Sequence, residues 1–117
     1  MEVLRKEYGR HYLVELIGCD PQRIKYADQV KEVLVKAAIA SKATIVEQYF
    51  KQYEPYGVTG IILICESHFS IHTWPEDGFA AFDILTCGEM LPENAIKVVK
   101  EGFQAKHVKK QIFPRGF

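Results

Sequence analysis

The residues whose types and spacing best suit chemistry lie together near the middle of the chain, from Cys65 to Glu76. This segment follows the apolar run 61–64 and combines carboxyl, hydroxyl, imidazole and thiol groups. A strand that only packs would not carry so many polar groups, because each costs free energy in a protein interior unless it finds a partner. We therefore interpret this segment as a candidate active site.

The composition places this segment in one domain without a strong electrostatic partner. The chain has 117 residues, and its 15 basic side chains balance 15 acidic ones, so we expect neither nucleic acid nor a membrane surface as partner. The N-terminal residues 1–7 are charged and predict no signal peptide, and the longest apolar run is too short for a membrane span. Three widely spaced cysteines indicate free thiols in a reducing cytoplasm: Cys19, Cys65 and Cys87.

The elements that must position the segment follow the order βαββββαβ. Alternating and β-branched runs predict strands over 11–18, 44–53, 58–66, 68–74, 79–87 and 106–113. Asp20-Pro21 starts one helix that ends near residue 41, and a second helix runs from about 91 to 103. The run 61–64 indicates a strand buried on both faces, in the sheet centre. The order predicts an α+β fold, a two-layer sandwich with a mainly antiparallel sheet and helices on one face.

The second face of such a sheet would need its own cover. Apolar side chains occur on both faces of several strands, which favours packing against a second copy of the chain. We therefore expect a dimer that forms through sheet packing or through strand edges.

The turn Pro75–Gly78 sets the register of the hairpin around it. With Trp74 opposite Phe79, one face of the hairpin carries Glu66, His68, Ser70, His72, Asp83 and Cys87. This register places the Cys87 thiol beside the Glu66–Ser67 peptide bond. Ser67 itself would face the other side, so its chemistry requires either a distortion at residue 67 or a reaction at its backbone.

A simpler interpretation exists for each polar residue taken alone. A single cysteine is more often an inert, small hydrophobic residue than a proton donor, and a single histidine is often a satisfied core residue. Four residues of this face could instead ligate a metal in a binding module or hydrolase: His68, His72, Asp83 and Cys87. That alternative leaves the neighbouring Glu-Ser pair unexplained.

Residues 66–76, followed by Asp83–Gly88, resemble the prokaryotic S-adenosylmethionine decarboxylase proenzymes. The segments 9–11, 43–46 and 55–60 also fit that family. The resemblance covers nearly the whole chain and preserves the spacing between Ser67 and Cys87. The segment after about Phe103 is the least similar part.

The resemblance implies that residues 1–117 form one self-cleaving domain. Cleavage between Glu66 and Ser67 would give a β chain of residues 1–66 and an α chain of residues 67–117. The Ser67 hydroxyl would attack the preceding carbonyl, and elimination and hydrolysis would then leave a pyruvoyl group. By motif position His72 would be the processing base, and Thr59 would supply a supporting hydroxyl. No metal is implied.

The implied cofactor is thus a covalent pyruvoyl group derived from Ser67. It would form a Schiff base with the substrate amine and act as the electron sink of a decarboxylation. Cys87 would donate the proton, Tyr53 would stack on adenine where the family usually has phenylalanine, and Glu76 would bind the ribose. The implied product is decarboxylated S-adenosylmethionine, the aminopropyl donor for spermidine synthesis, made by a cytoplasmic homodimer of processed αβ units.

Two further hypotheses keep the same fold. The motif consists mainly of processing residues, so a pyruvoyl-dependent decarboxylase of arginine or ornithine would fit it as well. A non-catalytic homologue acting as a partner subunit is the other, although every processing residue is present in the chain.

Overall fold

The computed structural model describes residues 5–117, so residues 1–4 of the charged N-terminal segment lie outside the described part. Its strands are β1 (Glu7–Ile17), β2 (Ile45–Gln52), β3 (Val58–Ile64), β4 (Ser67–Trp74), β5 (Phe79–Thr86) and β6 (His107–Gly116). Its helices are α1 (Pro21–Ile24), α2 (Ala27–Ala40) and α3 (Pro92–Phe103), with a short 3₁₀ turn at Pro75–Asp77. The predicted order is confirmed, except that the first predicted helix is divided into α1 and α2.

The six strands form one antiparallel sheet in the order β2-β3-β4-β5-β1-β6. The strands β2 and β6 are therefore its edges, and β6 begins and ends later than the predicted range 106–113. The α+β class, with an antiparallel sheet and helices on one face, is confirmed.

The two faces of the sheet differ in cover. On β1, β3, β4 and β5, alternate residues pack with the helices into one core, whose largest fully buried side chains include Phe69, Phe82 and Phe103. The intervening residues lie on the opposite face, which we call the open face. The prediction that 61–64 is buried on both sides was wrong, because Ile61 and Leu63 lie on the open face and are 39% and 45% exposed.

The first predicted helix is interrupted. Asp20 caps its start by accepting a hydrogen bond from the Gln22 backbone N–H at 3.0 Å, but the helix stops at Ile24 and restarts at Ala27. The Gln52 side chain fills the break: its amide donates to the Lys25 carbonyl at 3.0 Å, and its carbonyl oxygen accepts from the Ala27 N–H at 2.6 Å. The freed backbone groups are thereby satisfied.

The turns around β4 fix the register of the central hairpins. Gly78 has φ +60° and closes the β4–β5 turn, and Trp74 lies opposite Phe79 as predicted. On the other side, β3 ends at Ile64 rather than at Glu66, since a two-residue turn of Cys65 and Glu66 joins it to β4.

Candidate active site

The Glu66–Ser67 bond lies where the β3–β4 turn enters β4. The Cys87 thiol donates to the Glu66 carbonyl oxygen at a sulfur–oxygen distance of 2.7 Å, as the hairpin register predicts. The Glu66 carboxylate also accepts a hydrogen bond from the Thr44 backbone N–H at 3.1 Å. The residue before the serine is thus held at both its carbonyl and its side chain.

The backbone of Ser67 is distorted. Its φ is +155°, in a region that residues with a Cβ rarely adopt, and such outliers typically cost about 1–3 kcal/mol. Ser67 lies opposite Ile64, whose side chain is buried on the helix side. The hairpin register places residue 67 on the face opposite to the polar groups, so the sequence predicted either a distortion at residue 67 or a reaction at its backbone. The φ of Ser67 shows such a distortion.

A glycine in β1 lets this strand approach the end of β5 closely. A Cβ built on Gly9 would lie 3.6 Å from the Cβ of Cys87 and would overlap the Thr86 carbonyl. The close approach of β1 to the end of β5 therefore requires glycine at this position. We call Gly9, Glu66, Ser67 and Cys87 the cleavage end of the open face.

The other predicted residues lie at the opposite end of β4, beside the turn Pro75–Gly78. We call this region the turn end, and it comprises Tyr53, Thr59, His72 and Glu76. The Thr59 hydroxyl hydrogen-bonds Nδ1 of His72 at 3.1 Å, so Nε2 is the ring nitrogen that can exchange a proton with a reacting group. Tyr53 follows β2 and is 47% exposed, and Glu76 is exposed in the 3₁₀ turn. The Trp74 ring lies 6.3 Å from that of His72 and adds an apolar surface there.

The two ends do not meet within one chain. Ser67 and His72 are separated by five positions of one extended strand, which spans roughly 16 Å. The structure therefore brings Cys87 to the Glu66–Ser67 bond and Thr59 to His72, but it does not bring the predicted processing base to the bond.

A charged cluster lies between the two ends, and we call it the Asp83 network. The Asp83 carboxylate accepts hydrogen bonds from Ser70 and from Nε2 of His11, the latter at 2.5 Å, and Nε2 of His68 lies 3.5 Å from it. Arg115 of β6 donates to Nδ1 of His11 at 3.1 Å. Sequence reasoning placed His68, Ser70 and Asp83 on one face but missed His11 and Arg115.

These contacts keep Asp83 ionised. Burial raises the pKa of the Asp83 carboxyl, but the hydrogen bonds from Ser70 and His11 and the nearby imidazoles outweigh burial, and the net pKa lies below its ordinary value. The bond from Arg115 requires an unprotonated Nδ1 on His11, so the proton of the neutral ring is on Nε2 and points at Asp83.

This arrangement bears on the metal hypothesis. In the described residues, ligand atoms of His11, His68 and Asp83 lie within 4.8 Å of one another, whereas His72 and Cys87 are not part of that group. A metal on Nε2 of His11 would displace the proton that now bridges to Asp83 and would force Nδ1 to take a proton against Arg115. The geometry is that of a hydrogen-bonded ion cluster.

The three cysteines are free, as predicted, and occupy different environments. Cys19 is buried, and burial raises the pKa of its thiol to about 11. Cys65 and Cys87 are exposed on the turn and at the end of β5. Of the three, Cys87 contacts the Glu66 carbonyl, so position rather than residue type singles it out.

The site thus lies in a two-layer α+β domain, where a thiol contacts the carbonyl that precedes a serine of unusual φ. Residues 10–116 match the family model described as S-adenosylmethionine decarboxylase. Relatives named S-adenosylmethionine decarboxylase proenzyme include those of Pyrococcus abyssi and Thermodesulfovibrio yellowstonii, which are 42% and 46% identical to this chain. The alignments cover 92% and 84% of this chain and 78% and 73% of the relatives.

The fold agrees with the sequence match. A crystal structure of the adenosylmethionine decarboxylase from Aquifex aeolicus is similar with a TM-score of 0.87 and 35% identity, covering 96% of this chain and 93% of that one. The chain belongs to the S-adenosylmethionine decarboxylase family, as its motifs predict. Among the described residues, no helix is long and apolar enough to cross a membrane.

Proposed function

We propose that this chain cleaves itself between Glu66 and Ser67 and then decarboxylates S-adenosylmethionine. The observation that carries the proposal is the 2.7 Å contact between the Cys87 thiol and the Glu66 carbonyl oxygen, next to the distorted backbone of Ser67. The hydrogen bond polarises the carbonyl that the serine hydroxyl must attack. Family membership supports the same reaction, because the relatives described above carry the name proenzyme.

The proposed cleavage takes place in three steps: an acyl shift, an elimination and a hydrolysis. The Ser67 oxygen adds to the Glu66 carbonyl carbon and the amide nitrogen leaves, which converts the amide into an ester. A base removes the Cα proton of residue 67 and the Cβ–Oγ bond breaks, so that both ester oxygens leave with Glu66 as its new carboxylate and residue 67 becomes dehydroalanine. Dehydroalanine tautomerises to an imine, water adds to its Cα, and the nitrogen leaves as ammonia. The products are residues 1–66 and a pyruvoyl-ended chain of residues 67–117.

The pyruvoyl group, once formed, supplies a conjugated carbonyl that accepts the electron pair released when carbon dioxide leaves. Cys87 is the proposed proton donor, because its sulfur lies beside the carbonyl of the residue that precedes position 67. A positioned acid of this kind typically contributes about 10²–10⁴-fold to the rate. Tyr53 and Glu76, at the turn end, are the proposed contacts for adenine and ribose.

The separation of the two ends supports a dimer. The open face exposes large apolar side chains, which a second copy would cover: Tyr49, Ile61, Leu63, Trp74 and Phe113. Two sheets packed face to face across a two-fold axis can set the turn end of one copy against the cleavage end of the other. In that arrangement His72 of the partner subunit acts on residue 67, and the working unit is a homodimer of processed chains. We place it in the cytoplasm.

The first test is the intact mass of the purified protein. We expect two fragments, residues 1–66 and 67–117, with a pyruvoyl group on the second. Release of labelled carbon dioxide is then compared for S-adenosylmethionine, arginine and ornithine. The relatives described above are named for S-adenosylmethionine, so release from that substrate is expected. A chain that stays whole would overturn the proposal.

The second test asks whether two chains share one site. Co-expression of Ser67→Ala with His72→Ala gives heterodimers in which one site combines Ser67 from one chain with His72 from the other. We expect a pyruvoyl-ended fragment from the His72→Ala chain only in the mixture, and none when either variant is expressed alone. If a verified heterodimer yields no such fragment, the site lies within one chain.

A further inference from the structure

The Asp83 network crosses four adjacent strands beside the cleavage end. His68 and Ser70 belong to β4, Asp83 to β5, His11 to β1 and Arg115 to β6. Building on the proposed function, we infer that this network is a positioning device, which holds the new chain end at residue 67 in place after the Glu66–Ser67 bond is cut.

The need for such a device follows from what cleavage removes. In the uncut chain, residue 67 is held from one side by Glu66, which is itself fixed by the Cys87 thiol and the Thr44 N–H. Cleavage breaks this connection, and residue 67 is then covalently attached only to His68. A group that must react with substrate in a fixed geometry then sits at a free chain end.

The network restrains that end through two side chains of β4. The His68 ring, 30% exposed, lies 3.5 Å from the Asp83 carboxylate, and the Ser70 hydroxyl donates to the same carboxylate from two positions further along β4. Both side chains project from the open face. Together they hold residues 68–70, the start of β4 in the new chain, in a fixed position and orientation.

Arg115 and His11 complete the restraint from the far side. The guanidinium fixes the tautomer of His11, and the resulting Nε2–H donates to Asp83 at 2.5 Å. The carboxylate therefore keeps a defined direction, with its lone pairs divided between β1 and β4.

The inference predicts a specific kinetic signature. A reacting group displaced by about 1 Å can lose about 10²-fold in rate, whereas the proposed adenine and ribose contacts at the turn end are untouched. For Asp83→Asn we therefore expect normal cleavage, a kcat lower by about 10–100-fold and a KM within about threefold of wild type. His11→Gln, whose amide can still donate to Asp83, should retain more kcat than His11→Ala.

The experiment measures three properties of the purified, full-length proteins. Intact mass gives the fraction cleaved, steady-state kinetics give kcat and KM, and hydrogen–deuterium exchange follows the amides of residues 68–70. Exchange there should be faster in cleaved Asp83→Asn and Arg115→Gln than in cleaved wild type. The matched control is Lys110→Gln, which removes a different ionic contact of β6, the 2.7 Å pair with Glu93, and should change none of the three.

The possible outcomes distinguish a failure of the proposed function from a failure of this inference. A wild-type chain that is not cleaved would overturn the proposed function and this inference with it. Cleaved, folded Asp83→Asn with wild-type kcat and exchange would overturn the inference alone. Failure of Asp83→Asn to cleave would also overturn it, because the network would then act before the bond is cut.

Discussion

The two faces of the sheet are built by the same strands, yet they carry different kinds of residue. On β4, Phe69 and Ile71 are fully buried under the helices, whereas His68, Ser70 and His72 project from the open face. Because side chains alternate along a strand, residues that hold the fold and residues proposed for the chemistry are immediate neighbours. Their substitutions should therefore have separable effects, on stability for one face and on reaction for the other.

The largest expected effect is that of Ser67→Ala. The variant lacks the nucleophile, so we expect no cleavage and no decarboxylation, while the free energy of unfolding stays within about 1 kcal/mol of that of His72→Ala, which is also expected to stay uncut. Intact mass and chemical denaturation measure the two quantities. A cleaved Ser67→Ala chain would show that another group attacks the bond.

A pair of thiols sharpens the comparison: Cys19 is buried in the core, in the loop between β1 and α1, and Cys87 lies at the cleavage end of the open face. Cys87→Ala should lower turnover by about 10²–10⁴-fold with little change in stability. Cleavage should still occur but more slowly, because the variant loses the hydrogen bond that polarises the Glu66 carbonyl. Cys19→Ala should keep turnover but lose on the order of 1 kcal/mol of stability, because it leaves space in the core. The two variants are compared by kinetics and by thermal unfolding. Equal effects on turnover would remove the distinction between the faces.

A substitution at the residue next to Asp83 tests the face of the sheet that the helices cover. Phe82 is 2% exposed and adjacent in sequence, and Phe82→Ala should reduce the free energy of unfolding by about 3–5 kcal/mol. The fraction that remains folded should still cleave at Glu66–Ser67. Loss of cleavage from folded Phe82→Ala would mean that the core also sets the chemistry.

The smallest effect is a dependence of stability on pH. The pKa of Asp83 in the folded state lies below its ordinary value of 3.8, so its ionised form stabilises the fold above that pH. This contribution is lost as the pH falls through the lower, folded-state pKa. The difference in unfolding free energy between wild type and Asp83→Asn should therefore shrink below about pH 4. Asp77→Asn, in the exposed turn, is the control and should show a smaller change.

Local patterns predicted most of the fold and the hairpin that carries the thiol. The turn at Pro75–Gly78 and the alternation on either side fix the register, which correctly placed Cys87 at Glu66. Two features of β3 were hidden: the predicted strand extended to residue 66, past the true end of β3 at Ile64, and alternate members of the apolar run face the open side. Helical periodicity likewise continued through the break at Lys25 and Tyr26, which is filled by a side chain from a distant strand.

The Asp83 network could not be found from local patterns. His11 and Arg115 are separated from Asp83 by long stretches of chain and meet it only because β1 inserts between β5 and β6. The segment 9–11 fits the family motif, which marks the position but not the contact. The distance between Ser67 and His72 follows from their spacing along a predicted strand, but the shared motif does not say which residues meet within one chain.

The strand order has a consequence for the cut protein. Residues 1–66 supply β1, β2 and β3, and residues 67–117 supply β4, β5 and β6, so the two fragments alternate across the sheet. Three backbone ladders, β3 with β4, β5 with β1 and β1 with β6, join one fragment to the other. The cut therefore leaves an interleaved complex, and reassembly after unfolding becomes a bimolecular event whose rate depends on concentration. Efficient folding is therefore expected only before the cut, while the protein is a single chain.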